Sequence, residues 1–205
     1  MRFFLLALSL LATLLLSAFF SSTSAFAGIQ INLSGSNATS SNNLEKSTTH
    51  AVSGNIGLGL GDFASIGLTH RRSYINNTGF KKGRSADGTA YVYNPFRERT
   101  ESITSSVDLT LIPFSGTVSP FIFGGVARRD YYNQFDYQGS RITSTQTLYP
   151  VPNYGGGVAI QLGGSFQLKI TQTFSPGKQT SVNDGVESEK EVRDSYTELW
   201  LGYKL

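Results

Sequence analysis

The sequence YTELWLGYKL, residues 196–205, decides the fold of this chain. Apolar and polar residues alternate along it. The apolar face carries Leu199, Leu201, Tyr203 and Leu205. The opposite face carries Glu198, Trp200, Gly202 and Lys204. A period of two is typical of a β-strand whose faces lie in two environments. A strand of this kind at the C-terminus predicts a closed sheet that spans a membrane.

The N-terminus has the features of a secretory signal. Arg2 is followed by a nearly unbroken apolar run, Phe3–Phe20, and by the polar stretch Ser21–Ser24. The sequence Ala25-Phe26-Ala27 then has the A-x-A form of a signal-peptidase site. A retained transmembrane helix is the alternative, because the run is just long enough to span. We predict a cleaved signal peptide over residues 1–27 and a single domain over residues 28–205.

Composition excludes several classes of function. The chain contains no cysteine, which excludes disulfides, thiol catalysis and a lipoprotein anchor. After residue 27 there is no further apolar run long enough for a membrane-spanning helix. The formal net charge of +3 falls to +2 without Arg2, so charge alone gives no reason to expect a nucleic-acid partner.

Alternation of the same kind recurs along the rest of the chain. The eight alternating segments are 29–34, 52–60, 64–69, 103–111, 118–129, 157–162, 166–171 and 196–205. A soluble sandwich also alternates. The charges opposite the apolar faces, Asp108, Lys169 and Glu198, favour a narrow polar interior, where we expect them to join Arg71 or Arg129 in one charge network. The fold prediction is all-β: an eight-stranded antiparallel up-and-down transmembrane barrel.

The connections between these segments alternate between long and short. The long ones are roughly 35–50, 71–101, 130–152 and 175–194, and the short ones are 61–63, 113–117 and 163–165. Several strands are expected to continue above the membrane into the long ones, for example over Ala90–Tyr93. Membrane barrels have long outer loops and short inner turns, so both termini are predicted to be periplasmic. The polar stretch Gly35–Asn43 is expected to be a mobile loop. Closure is required because no strand edge can stay unpaired in hydrocarbon.

Aromatic residues cluster at the predicted outer ends of the strands and are expected to form an interfacial girdle. They are Tyr74, Tyr131, Tyr132, Phe135, Tyr137, Tyr149, Tyr154 and Phe174.

Two segments resemble a known group of proteins. They are the C-terminal strand and Ser119-Pro120-Phe121-Ile122-Phe123-Gly124-Gly125-Val126, which is similar to a strand of the small eight-stranded outer-membrane barrels. That group includes the OmpA barrel, OmpX, OmpW and the opacity-type proteins. The resemblance implies the outer membrane of a Gram-negative bacterium and recognition of the last strand by the barrel assembly machinery. The chain departs from the group in ending with Leu205 rather than Phe.

Residues for catalysis are scarce. The chain has two histidines, His50 and His70. His70 with Ser73 is the local candidate for lipid A chemistry, because the resemblance extends to barrels that modify lipid A with His and Ser near the outer leaflet. An ordinary interfacial histidine is the preferred interpretation. We therefore predict no enzyme, no catalytic residue, no metal and no cofactor.

The second predicted outer loop is basic. Seven basic and three acidic residues between Arg71 and Glu101 give this segment a formal charge of +4. Such a patch suits lipopolysaccharide phosphates or another polyanion, and a solvated basic loop is the alternative. The predicted binding residues are Lys81, Lys82, Arg84, Arg97 and Arg99. The fourth loop is acidic, with Asp184 among its residues.

The function predicted from the sequence is a structural or surface-interaction role in the outer membrane. The predicted partners are outer-membrane lipid, lipopolysaccharide, the assembly machinery and a host or cell-surface ligand, with the barrel itself a monomer. The alternatives are a narrow conduit for small or hydrophobic solutes and, less favoured, a lipid A-modifying enzyme. Channel conductance and lipid A mass spectrometry would separate these alternatives.

Overall fold

The computed structural model of this chain describes residues 26–42, 44–61, 63–84, 90–114, 116–183 and 186–205. Its strands are β1 (Phe26–Ser41), β2 (Glu45–Leu60), β3 (Ala64–Arg84), β4 (Tyr91–Leu111), β5 (Val118–Tyr137), β6 (Ser140–Gly163), β7 (Phe166–Asn183) and β8 (Val186–Lys204). They close into a barrel in chain order, each pairing antiparallel with the next. The predicted eight-stranded up-and-down barrel is therefore confirmed.

Two further sequence predictions concern the N-terminal signal peptide and membrane-spanning helices. Residues 1–25, most of the predicted signal peptide, lie outside the described residues, so the signal peptide stays a prediction. No helix among the described residues has the length and hydropathy of a membrane span.

The barrel closes where β1 meets β8. The paired residues run from Gln30 opposite Lys204 to Ser34 opposite Trp200. The Leu205 amide adds a 2.9 Å hydrogen bond to the carbonyl of Ile29. Gly28 has a φ of 104°, and a Cβ atom there would lie 2.4 Å from the carbonyl oxygen of Leu205. A side chain at this position is excluded by both the backbone conformation and the closing strand.

Alternation divides the strands into a polar lumen and an apolar exterior. On β4, Thr104, Ser106 and Asp108 are each 6% exposed, whereas Val107 between them is 54% exposed. Across the ladder, Val107 pairs with Leu68 of β3 and Val126 of β5, both of which also point outward. An exterior of this kind belongs in hydrocarbon, because water would leave an apolar belt around the whole barrel exposed. The barrel therefore spans a membrane.

The long connections predicted from the sequence are mostly strand, and the expectation that strands continue above the membrane is confirmed for β4, which begins at Tyr91. The strands continue through most of these segments, so that β3 and β4 stay paired up to Arg84 and Tyr91. The stretch predicted as a mobile loop, from Gly35, belongs to β1 up to Ser41 and pairs with β2. Paired strands supply the backbone hydrogen bonds that a polar loop would need from water. The outer ends of the hairpins are consequently extended two-stranded or wider ribbons.

The short turns are confirmed in position. They separate β2 from β3, β4 from β5 and β6 from β7. The last one is tighter than the three residues expected, because Gly163 pairs with Phe166 and leaves Gly164 and Ser165 between them. Gly164 has a φ of 54°, the left-handed conformation that such a two-residue turn requires.

Aromatic side chains mark both edges of the apolar exterior. At the outer edge the predicted girdle residues Tyr74, Tyr132, Tyr149, Tyr154 and Phe174 are 42–71% exposed. The prediction is wrong for Tyr131, Phe135 and Tyr137, which share the lumen-side parity of Arg129. At the opposite edge lie four exposed aromatic residues that the sequence analysis does not assign to a girdle: Phe63, Phe114, Phe166 and Tyr203. Between the two edges β3 runs from Ala64 to Tyr74, about ten steps of roughly 3.3 Å, which at the usual tilt cover roughly 25 Å.

Candidate functional site

The lumen contains a buried ion pair between β3 and β8. The Arg71 Nε lies 3.0 Å from Glu198 Oε1, and the two side chains are 12% and 3% exposed. The Ser53 hydroxyl donates a 2.6 Å hydrogen bond to the same carboxylate oxygen. The Arg71 guanidinium also lies 4.1 Å from the ring centroid of Tyr196. Glu198 is thus compensated by one charge and one hydroxyl.

A second buried cation lies nearer the outer end of the lumen. Arg129, 1% exposed, places Nη1 2.6 Å from the Asp194 carboxylate. The same guanidinium donates to Thr104 at 3.3 Å and to the Tyr131 hydroxyl at 3.1 Å. The Tyr131 hydroxyl in turn donates to Asp194 at 2.9 Å. These contacts cross-link β4, β5 and β8 above the first ion pair.

Asp108 and Lys169 point into the lumen as predicted, but the single charge network is wrong. Asp108 accepts hydrogen bonds from Ser106 at 2.6 Å, Asn153 at 2.8 Å and Thr69 at 3.4 Å. Lys169 donates to the Gln30 amide oxygen at 3.2 Å. Neither forms an ion pair with any residue in the part of the chain that the structure describes. The lumen therefore holds two separate ion pairs and two charges with neutral partners.

Large side chains fill much of the lumen. Phe121 and Trp200 are 8% and 7% exposed and face inward. Phe121 lies opposite Gly157 across the β5–β6 ladder, and a Cβ atom at Gly157 would lie 2.9 Å from its ring. The glycine makes room for the ring. The central cavity that remains is about 80 Å³, which is room for a few waters and not for a wide pore.

The catalytic pair considered from the sequence is not formed. His70 points outward with Leu68, as its parity predicts, whereas Ser73 is 3% exposed and points into the lumen. His70 Nδ1 instead lies 3.0 Å from the Ser105 hydroxyl on the neighbouring strand. The described residues include no carboxylate hydrogen-bonded to this imidazole, the orienting group that a nucleophilic serine site uses.

Metal binding has no support in the described part of the chain. There, no three His, Asp or Glu side chains lie close enough together to hold a metal ion.

The predicted basic site lies on the ribbon that β3 and β4 form beyond the membrane, and the structure divides it between two faces. We call the side of this ribbon that continues the barrel exterior its outer face. Lys82, Arg97 and Arg99 are exposed and share the parity of this face. Lys81 has the opposite parity and lies 5.0 Å from the Phe96 ring and 4.5 Å from the Phe135 ring. The side chain of Arg84 lies outside the described part.

Three exposed aromatic residues missed by the sequence analysis lie on the same outer face. Phe80, Tyr91 and Tyr93 are 50%, 64% and 56% exposed. The Lys82 ammonium lies 3.9 Å from the centroid of the Tyr91 ring. Period-two counting along β4, from Tyr91 through Tyr93 to Arg97, would have found this set. The face therefore combines cations with aromatic rings.

Acidic residues compensate other cations around the outer face. Arg141 Nε lies 2.8 Å from Asp136, and Arg72 Nε lies 2.6 Å from Glu101. Two hydrogen bonds lower the pKa of the Asp136 carboxyl, the larger effect coming from Arg141 and the smaller from Gln134. The positive charge of Arg99 lowers the same pKa further. Asp184 and Asp87 lie outside the described residues. Lys82 and Arg97 have no acidic partner among the residues described.

Comparison with known proteins gives a likeness of fold. No family model matches the chain, and no curated protein matches it. Among solved structures, the N-terminal β-barrel domain of Pseudomonas aeruginosa OprF is 15% identical, with a TM-score of 0.48, covering 87% of this chain and 97% of that one. Neisserial surface protein A is 14% identical, with a TM-score of 0.45 and coverage of 88% and 99%. Escherichia coli outer membrane protein W is 11% identical, with a TM-score of 0.44 and coverage of 87% and 98%.

Proposed function

We propose that this protein is an integral barrel of the bacterial outer membrane whose β3–β4 ribbon binds acidic glycans, with lipopolysaccharide phosphates as the first ligand to test. The observation that carries this proposal is the outer face of the ribbon. Lys82, Arg97 and Arg99 are exposed there beside Phe80, Tyr91 and Tyr93. The barrel acts as a non-enzymatic, monomeric support, and its last strand is recognised during assembly.

The cations of the ribbon lie beyond the outer edge of the apolar belt, where we expect anionic sugars. Tyr74 marks the outer edge of the apolar belt on β3, and Lys82 follows it on the same strand. Eight residues of strand extend roughly 26 Å before tilt is considered. Arg97 and Arg99, opposite Thr78 and Asn76, occupy intermediate heights. The cations therefore follow one another outward from the membrane surface.

The residue types suit a phosphorylated or sulfated sugar. Guanidinium groups bind phosphate and sulfate oxygens through paired N–H donors. Aromatic rings bury the apolar face of a sugar ring and leave its hydroxyls in water. On this face Arg97 makes only a long, 3.4 Å hydrogen bond to Asn76 in the described part of the chain, so its remaining donors suit a ligand.

The test compares a triple substitution on the outer face with a single substitution on the opposite face, and both replace basic residues with serine. The triple variant Lys82→Ser/Arg97→Ser/Arg99→Ser removes the outer-face cations, and Lys81→Ser removes a cation from the opposite face. Binding of the full chain to vesicles with and without lipopolysaccharide, and to heparin, is measured over a salt series. We expect wild type and Lys81→Ser to bind, and binding to weaken as the screening length falls from about 8 Å at 0.15 M salt to about 3 Å at 1 M.

A heat-modifiability gel on each variant establishes that the barrel is folded. If the triple variant binds lipopolysaccharide and heparin as tightly as wild type at low salt, the outer face is a solvated ribbon. The proposed function is then wrong, and a structural role remains for the barrel.

A further inference from the structure

The lumen contains two opposite charges that face one small cavity and have no ionic partner among the described residues. Lys169 of β7 and Asp108 of β4 both line the cavity of about 80 Å³. Each is held by neutral groups, Lys169 by Gln30 and Asp108 by Ser106, Asn153 and Thr69. Glu198 lines the cavity too, but Arg71 already compensates it. Burying single charges in this way is costly unless an opposite charge approaches them.

The acidic side of the cavity also offers an unpartnered acceptor. Asn153 is 5% exposed and donates through Nδ2 to Asp108, but its Oδ1 atom has no hydrogen-bond partner in the part of the chain that the structure describes. Buried amide oxygens are nearly always satisfied. Asn153 Oδ1 and the Asp108 carboxylate together form an acceptor pair suited to an ammonium group, which has three donors and no acceptor.

The basic side of the cavity offers donors. The Lys169 ammonium has three N–H donors, and its one hydrogen bond among the described residues goes to Gln30. Thr171 and Thr173, inward-facing on the same strand, bring two hydroxyl groups to the cavity wall. Lysine and hydroxyl donors together suit a carboxylate.

We propose that this cavity binds a small zwitterion of the amino-acid class, with its carboxylate toward Lys169 and its ammonium toward Asp108 and Asn153. Charge complementarity identifies the ligand, because one molecule carrying both charges compensates both side chains. Size limits it to the smallest members of the class, since the cavity is far below the roughly 300 Å³ of ordinary small-molecule pockets. The proposed site is independent of the outer-face glycan site.

A second space lies next to the cavity, at the end of the barrel where the short turns lie. It has a volume of about 160 Å³ and is lined by Gly59, Gly61 and Gln161. It shares Gln30 and Ser65 with the central cavity. Gln30, which accepts the hydrogen bond from Lys169, thus lines both spaces.

The chain carries its own reporter for binding. Trp200 is its single tryptophan, is 7% exposed and lines the cavity. Fluorescence of the folded full chain in detergent micelles is titrated with glycine, with acetate, with methylammonium and with glycolamide, an uncharged molecule of similar size. We expect a saturable change in Trp200 emission with glycine and none with the other three probes.

Two variants locate the response. Asp108→Asn keeps the side-chain shape, Lys169→Gln leaves a shorter polar side chain, and each removes one charge. Each variant is expected to lose the glycine response. Asp136→Asn, on the outer ribbon, is the control and should keep it. The titration of wild type with four probes decides the question even if a lumenal variant fails to fold. Absence of a glycine response in wild type, an equal response to the singly charged or uncharged probes, or retention of the response in both folded lumenal variants would overturn the proposal.

Discussion

The same antiparallel strands run through two different environments, and different forces hold them in each. Inside the membrane the barrel buries its charges, and Arg71 and Glu198 are 12% and 3% exposed. On the outer ribbons the corresponding pair, Arg141 and Asp136, is 67% and 29% exposed. The pair on the ribbon is open to water, whereas the spanning strands have hydrocarbon on one side and a narrow lumen on the other. The contribution of an ion pair to the stability of the fold therefore depends on its surroundings as well as on the distance between its atoms.

The largest effect that this comparison predicts comes from breaking the buried pair. Arg71→Met leaves the Glu198 carboxylate in the lumen with Ser53 as its remaining close partner. Removing one member of a buried pair typically costs about 3–5 kcal/mol. Urea titration of the protein folded in vesicles measures the loss.

Two control variants show whether the loss of stability comes from breaking a buried ion pair. One removes a buried cation, and the other removes a member of an exposed pair. Lys169→Met removes a lumenal cation that lacks an acidic partner among the described residues, so its stability should equal or exceed that of wild type. Arg141→Met removes an exposed partner on the ribbon and should change global stability very little. A loss for Lys169→Met as large as that for Arg71→Met would show that a buried cation stabilises the barrel without an ion pair.

The next largest effect on stability comes from comparing two heights on the exterior of the barrel. Val107 and Tyr93 lie on β4 with the same outward parity, one in the apolar belt and one on the ribbon. Val107→Arg should cost about 2–4 kcal/mol, because an arginine at the middle of the lipid-facing surface is desolvated. Tyr93→Arg should fold like wild type, since its side chain is in water. Equal yields of folded protein for the two variants on heat-modifiability gels would contradict the position assigned to the membrane.

The contrast between the two regions also explains what the sequence could reveal. Period-two alternation marked Thr104, Ser106 and Asp108 against Val107 because lipid and lumen select different residues on alternate positions. From Gly35 to Ser41 both faces are wet, so the polar sequence carried no such signal and a strand was interpreted as a loop. A local pattern therefore reveals a strand most clearly where the strand separates two environments.

Pairing across the lumen could not be predicted from local patterns. Arg71 and Glu198 are 127 residues apart in the chain and belong to strands that are not neighbours in the barrel. Their contact depends on the stagger of all the strands between them. The inward direction of Asp108, Lys169 and Glu198 followed from parity, but the choice of partners did not. On the ribbon, parity would have separated Lys81 from Lys82, whereas charge counting placed them in one site.

The smallest predicted effect concerns the pH response of the ribbon. The hydrogen bond from Arg141 lowers the pKa of Asp136 below its ordinary value of 3.8. A carboxyl whose pKa is lower in the folded protein stabilises the fold above the unfolded pKa, and this contribution is lost as the pH falls through the folded pKa. Arg141→Gln should therefore raise the pKa of Asp136 toward its ordinary value. Arg99→Gln should raise it less, because Arg99 acts only through a weaker electrostatic attraction.

An NMR titration of the Asp136 carboxyl carbon in micelles measures both shifts. Arg128→Gln is a control that leaves Asp136 untouched, since Arg128 pairs with Asp130. Because the ribbon is hydrated, 1 M salt should shrink the difference between wild type and Arg99→Gln. A pKa of Asp136 that is the same in wild type and Arg141→Gln would mean that the ribbon pair is open in solution, and the contrast with the buried pair would then be sharper still.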